Sequence, residues 1–150
     1  MFSIKNVTPA DVPLLLTFIR HLAVYEKMEN EVVATEAQLH TELFERASAH
    51  AVLAYENEIP VGFALYFFNF STFLSKRGLY LEDLFVLPEY RGRGYGKALL
   101  MHLKHIAQQE QCGRMEWSVL NWNQPAIDFY ESLGAKPMNE WTVYRLNPSI

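Results

Sequence analysis

Tyr90-Arg91-Gly92-Arg93-Gly94-Tyr95-Gly96-Lys97 constrains this chain more than any other stretch. An apolar run, residues 79–87, precedes it, and a long amphipathic pattern follows it. Three glycines in five residues permit a tight strand-to-helix turn whose main-chain N–H groups face outward. The helix N-terminus adds roughly half a positive charge. Together these hold a diphosphate, so the loop points to a phosphate-bearing cofactor. The spacing is neither the dinucleotide fingerprint, whose third glycine sits three residues on, nor a P-loop, which ends in Gly-Lys-Ser/Thr. Glycines that merely allow a sharp turn are the plain alternative.

The 150 residues are 50% hydrophobic, enough for one domain, residues 1–150, with a real core. A net charge of -4 argues against nucleic-acid binding and is compatible with a cationic substrate. The single cysteine, Cys112, excludes an internal disulfide and fits a reducing compartment. No apolar run approaches the ~20 residues of a membrane span, and no signal-peptide layout is present. A cytoplasmic location with no membrane partner is the expectation. His21, His40, His50, His102 and His105 form no metal pattern, so no metal is expected.

Strands are expected at 2–7, 51–55, 60–68, 79–87, 115–120 and 141–146. Thr8 and Asp11 start a first helix, on which Val12, Leu15, Leu16, Ile19, Leu22 and Ala23 recur at helical spacing. Thr35 and Gln38 form a second capping box, opening a helix that ends near Arg46. A turn at 56–58 and a polar loop at 71–78 separate the central strands. The glycine loop starts a helix of about 17 residues, and 126–133 forms a last short helix. The order β-α-α-β-β-β-α-β-α-β is a mixed-sheet α/β (α+β) fold.

Glu82 and Asp83 interrupt an apolar strand. Alternation places Leu81, Asp83 and Phe85 on one face and Tyr80, Glu82 and Leu84 on the other. A buried carboxylate is costly, and a bulge or wet cleft would relieve that cost. Glu82 is either a paired structural acid or a catalytic one. Asp83 serves either the structure or a substrate's charge. In the stretch 121–135, Asn123 and Pro125 fit a helix start. Tyr130 reads either as a core side chain or as an O–H donor beside the cofactor.

The loop and the stretch 121–135 together resemble the GNAT superfamily of N-acetyltransferases. Its Arg/Gln-x-x-Gly-x-Gly/Ala loop is matched by Arg91 to Gly96. Its second motif is matched by Asn123, Ala126, Phe129, Tyr130 and Gly134. Tyr25-Glu26-Lys27-Met28-Glu29, Tyr80-Leu81-Glu82-Asp83 and Trp122-Asn123-Gln124-Pro125 resemble the diamine (spermidine/spermine) branch. That resemblance implies a GNAT-like acyl-CoA N-acyltransferase fold and acetyl-CoA as cosubstrate. Leu84, Phe85 and Val86 would line the pantetheine through main-chain bonds. Arg91, Gly92, Arg93, Gly94, Tyr95, Gly96 and Lys97 would hold the diphosphate. Asn123, Pro125, Ala126 and Tyr130 would contact the cofactor, with Tyr130 the general acid; from its own chemistry Glu82 is the candidate to receive the amine's proton, directly or through water. Tyr25, Glu26, Glu82 and Asp83 would face a small cationic amine, and the assembly would be a homodimer. A main-chain N–H around Phe85 or Val86 is the expected oxyanion donor. Acetylation of an amino-acid side chain (thialysine-like) or of a protein lysine, and cofactor binding without transfer, stay open as alternatives.

Overall fold

A computed structural model describes all 150 residues. They form two compact units, Met1–Ser118 and Val119–Ile150. The first carries a five-stranded sheet of sequential order, with β1 (Phe2–Asn6), β2 (His50–Glu56), β3 (Ile59–Ser71) and β4 (Lys76–Val86) antiparallel. β5 (Arg114–Trp117) runs parallel to β4 and pairs only with residues 78–81. α1 (Val12–Tyr25) follows a one-turn 3-10 start in which the Thr8 amide donates to Asp11 Oδ2 at 2.8 Å. α2 (Glu36–His40) opens on the Thr35–Gln38 box and continues as a π turn over Thr41–Glu45. α3 (Tyr95–Gln109) has 15 residues, close to the expected length.

Leu15, Phe18 and Leu22 of α1 pack on Leu53, Phe63, Leu65 and Phe85, covering one face of the sheet. Leu15, Leu53 and Phe63 are fully buried, each stabilising the fold by about 1.5–3 kcal/mol relative to exposure. Leu99 and Leu103 of α3 are equally buried. Gly62, opposite Val86, has a steric reason: a Cβ there would lie 2.6 Å from the Phe85 carbonyl oxygen.

Three expectations need correction. The loop expected at 71–78 is shorter, a turn over 72–75 between the strand ends Ser71 and Lys76. β3 and β4 continue as a ribbon through the pairs Asn69–Gly78 and Ser71–Lys76, and Ser71 Oγ accepts from the Leu74 amide at 3.2 Å to hold the turn. Polar residues suit it because the ribbon projects into solvent.

The second correction concerns faces. Leu65 pairs with Asp83 but Tyr66 pairs with Leu81, leaving Glu82 as the extra residue of a bulge. The extra residue reverses parity, so Leu81 lies on the opposite face from Asp83 and Phe85.

The third is the last strand. In the second unit α4 (Gln124–Ser132) is followed by no strand, and Trp141, Val143, Tyr144 and Leu146 are 78–93% exposed. Their alternation suits a strand, but strand propensity expresses itself only where a partner ladder exists.

Candidate active site

Two local events open the site. The bulge at Glu82 bends β4, and β5 pairs with it no further than Leu81. The outer edge of residues 82–86 therefore has no strand neighbour. The Leu87 amide donates to the Val61 carbonyl at 2.8 Å, which sets the alternation along this ladder. Phe85, like Leu87, spends its main-chain groups on β3, whereas Leu84 and Val86 present N–H and C=O to the open edge. The expected donor "around Phe85 or Val86" thus narrows to Leu84 and Val86, and Phe85 contributes its ring.

The glycine loop lies beyond this edge. Gly92 and Gly94 have φ of +80° and +82°, where side chains other than glycine, Asn or Asp are strained. A Cβ at Gly92, Gly94 or Gly96 would meet nothing within 4 Å, so an open cradle faces solvent. The first helical bond runs from the Ala98 amide to the Gly94 carbonyl at 3.0 Å, and no main-chain acceptor serves the amides of Gly92 through Lys97. Six unsatisfied donors at a helix N-terminus fit a pyrophosphate.

The side chains of this loop do something else. Arg93 pairs with Glu56 at 2.6 Å, and the Tyr95 hydroxyl donates to the same carboxylate. The Tyr95 ring stacks on Phe2 at 4.2 Å. Those bonds hold the Glu56 carboxyl below its usual range, Tyr95 first and Arg93 second. Sequence reading assigned Arg93 and Tyr95 to the cofactor; the structure gives their side chains to anchoring the loop on the β2–β3 turn. Glu56 was missed. It lies 37 residues from Arg93, and nothing local in its turn signals the partnership. Arg91 Nε donates to the outward carbonyl of Val86 at 2.8 Å, and its guanidinium covers Tyr25 at 4.8 Å and Phe85 at 5.3 Å. Arg91 thereby ties the loop to the end of α1. Lys97 is exposed on the first turn of α3.

Glu26, just past α1, joins Glu82 and Asp83 in one acidic cluster. Burial pushes Glu26 up, and the charge of Glu82 adds to the shift. Burial, then Glu82, then Glu26, push Asp83 up to about 7. The bulge explains the difference between the neighbours: Glu82 is exposed, while Asp83 is half-buried on the α1 face beside Leu65. Tyr25, Glu26, Glu82, Asp83, Phe85 and Arg91 are thus brought together.

Asn123, Pro125, Ala126 and Tyr130 belong to the second unit. Asn123 Oδ1 accepts from the Ala126 amide at 3.4 Å, capping α4, with Pro125 in its first turn. Tyr130 is half-buried on α4, its ring 5.5 Å from that of Phe129.

An open strand edge beside a glycine-rich helix N-terminus has donors and space suited to an acyl-CoA. Residues 17–135 match the acetyltransferase (GNAT) family, to which this chain belongs. It is an acetyltransferase. It is 33% identical to L-ornithine N5-acetyltransferase NATA1 of Arabidopsis thaliana, with 97% of this chain and 85% of that one covered. It is 34% identical to the thialysine N-epsilon-acetyltransferase of Bos taurus, covering 95% and 90%. Among solved structures, an integron cassette protein from the mobile metagenome of V. cholerae superposes with a TM-score of 0.80 at 30% identity, covering 97% and 92%. No helix is long and apolar enough to cross a membrane.

Proposed function

We propose that this acetyltransferase modifies a primary amine of a small molecule carrying a second cationic nitrogen: a diamine, a polyamine, or a basic amino acid of the ornithine or thialysine kind. The observation that carries this reading is the trio Glu26, Glu82 and Asp83 at the end of the open β4 edge. One carboxylate suffices for a single ammonium; three in mutual contact by charge favour a substrate with two. Relatives named for ornithine and thialysine, and a human protein named spermidine/spermine N(1)-acetyltransferase-like protein 1 at 33% identity, support the same class.

Acetyl-CoA supplies the acetyl group as a thioester. The amides of Gly92 through Lys97 would hold its pyrophosphate, and the outward N–H groups of Leu84 and Val86, with the Leu84 carbonyl, would meet its pantetheine arm, the Val86 carbonyl being taken by Arg91. The chain's own chemistry is proton management. An amine of pKa about 10.4 is almost wholly charged at pH 7, and deprotonation costs about 4–5 kcal/mol. The Glu82–Asp83 pair receives that proton. Asp83, at about 7, is the better matched base, since catalytic efficiency peaks when the pKa lies near the working pH. Tyr130 O–H donates to the leaving thiolate. A Tyr130→Phe variant should lose roughly 10- to 100-fold in kcat while its CoA affinity in calorimetry stays within about twofold; unchanged kcat across pH would remove Tyr130 from the chemistry. A homodimer in a cytoplasmic setting belongs to the same reading. The exposed side chains Phe70, Phe73 and Leu74 at the β3–β4 turn support self-association.

The test is thiol release from acetyl-CoA with ornithine, thialysine, spermidine, putrescine and butylamine. The reading expects kcat/KM for the best dicationic amine to exceed that for butylamine by at least about tenfold. Equal rates would refute selection by charge.

A further inference from the structure

The open edge of β4 offers an extended ligand a choice of position. Outward groups on a strand recur every two residues, about 6.6 Å apart. The pantetheine arm of CoA carries two amides, so on an edge of equivalent groups it could settle in either of two registers. Only one register can bring the thioester carbon to the distance of about 3–3.5 Å from the amine that reaction needs. The edge is not uniform, however. Arg91 Nε donates to the Val86 carbonyl at 2.8 Å. The Leu84 carbonyl, two residues earlier on the same edge and beyond the end of β5 pairing at Leu81, stays open.

Three contacts hold Arg91 in this pose. It is an exposed residue whose side chain has room to extend into water, and it belongs to none of the chain's ion pairs. It folds back instead, its guanidinium 4.8 Å from the centroid of the Tyr25 ring and 5.3 Å from that of Phe85. These two rings, one from α1 and one from β4, lie 6.5 Å apart. Each attracts the cation through its face, and the Val86 carbonyl supplies the acceptor. A charged donor makes a hydrogen bond about twice as strong as a neutral amide does, so Arg91 keeps that carbonyl against a competing pantetheine N–H.

We propose that Arg91 is a positioning residue for acetyl transfer: by closing the Val86 carbonyl it leaves the Leu84 carbonyl as the acceptor for the pantetheine arm, and so sets how far along β4 the thioester stands. The inference rests on the reading that the arm lies along this edge.

Two uncharged variants of the full chain separate the hydrogen bond from the charge. Gln Nε2 stands as many bonds from Cα as Arg Nε, so Arg91→Gln can keep the donor to Val86. Arg91→Met places a methyl group there and cannot donate. With the carbonyl open, the Met variant should also bind acetyl-CoA in the slipped register, where no transfer occurs. Unproductive binding lowers kcat and KM together. Both kcat and the acetyl-CoA KM should therefore be about three- to fivefold lower in Arg91→Met than in Arg91→Gln, the value of one hydrogen bond, with kcat/KM alike in the two. S-acetylpantetheine, which lacks the diphosphate and has only the strand edge to place it, should show at least as large a joint fall. Equal kcat and KM in the two variants would overturn the proposal. So would a KM raised equally in both, as a lost diphosphate contact gives, or a fall in kcat alone, as partial unfolding gives. The underlying reading fails by a different sign: Leu84 and Val86 amides of the wild type that do not shift when CoA is added.

Discussion

Replacing Asp83 by Asn is expected to cost at least about 100-fold in kcat/KM at pH 7 and, in the same molecule, to raise stability at neutral pH. The wild-type kcat/KM should rise with pH along a limb centred near 7, where Asp83 ionises, and then stay level until the amine substrate itself loses its proton. The Asn variant should lack that limb. The stability change has a definite sign. The folded state raises Asp83 from 3.8 to about 7, so folding favours its protonated form. That contribution is complete below pH 4 and is lost as pH rises through 7. Asn, which cannot ionise, loses nothing. The two proteins should be alike in urea unfolding near pH 4, the variant should gain steadily between 4 and 7, and above 7 the gap should hold at about 1–3 kcal/mol, discounted for the half-exposed site. A limb that persists in the variant would move the proton-accepting role to Glu82 alone.

The second large effect belongs to Gly94, the residue before α3, at φ +82° and ψ 9°. Asn and Asp both tolerate this backbone and nearly share a shape, so the pair isolates charge. Gly94→Asn should already bind CoA more weakly than wild type, because its side chain enters the open cradle proposed for the diphosphate. Gly94→Asp should bind at least about 30-fold more weakly than Gly94→Asn, since it sets a carboxylate where the diphosphate sits. The deficit should shrink in high salt. Thermal stability should move the other way, because an acidic residue at a helix start is favourable. Equal CoA affinity in the two variants would mean that the loop does not carry the anion.

How far the sequence disclosed this site varies residue by residue. The glycine loop was legible because positive φ and unsatisfied helix-start amides follow from local chain geometry. Both capping boxes were legible for the same reason. Two carboxylates in an apolar strand pointed to a bulge or a wet cleft, since burial without either is costly, but alternation alone could not choose between them or say which residue was extra. Leu81 was therefore assigned to the wrong face, and the half-buried setting of Asp83 stayed hidden. Glu56 and the folded-back pose of Arg91 were out of reach because both rest on contacts between segments far apart in sequence. The segment 141–146 shows the opposite error: a pattern fit for a strand, with no ladder to join in this chain.

The central claim is that the main-chain amides of Gly92 through Lys97 grip the pyrophosphate of CoA. Amide chemical shifts of the labelled protein, followed during CoA addition, test it most directly. The account predicts saturation at one CoA per chain, with the Gly92, Gly94 and Gly96 amides moving furthest as they gain acceptors and the Leu84 and Val86 amides moving with them. Saturable binding that leaves the amides of residues 92–97 in place, or no saturation at all, would contradict it.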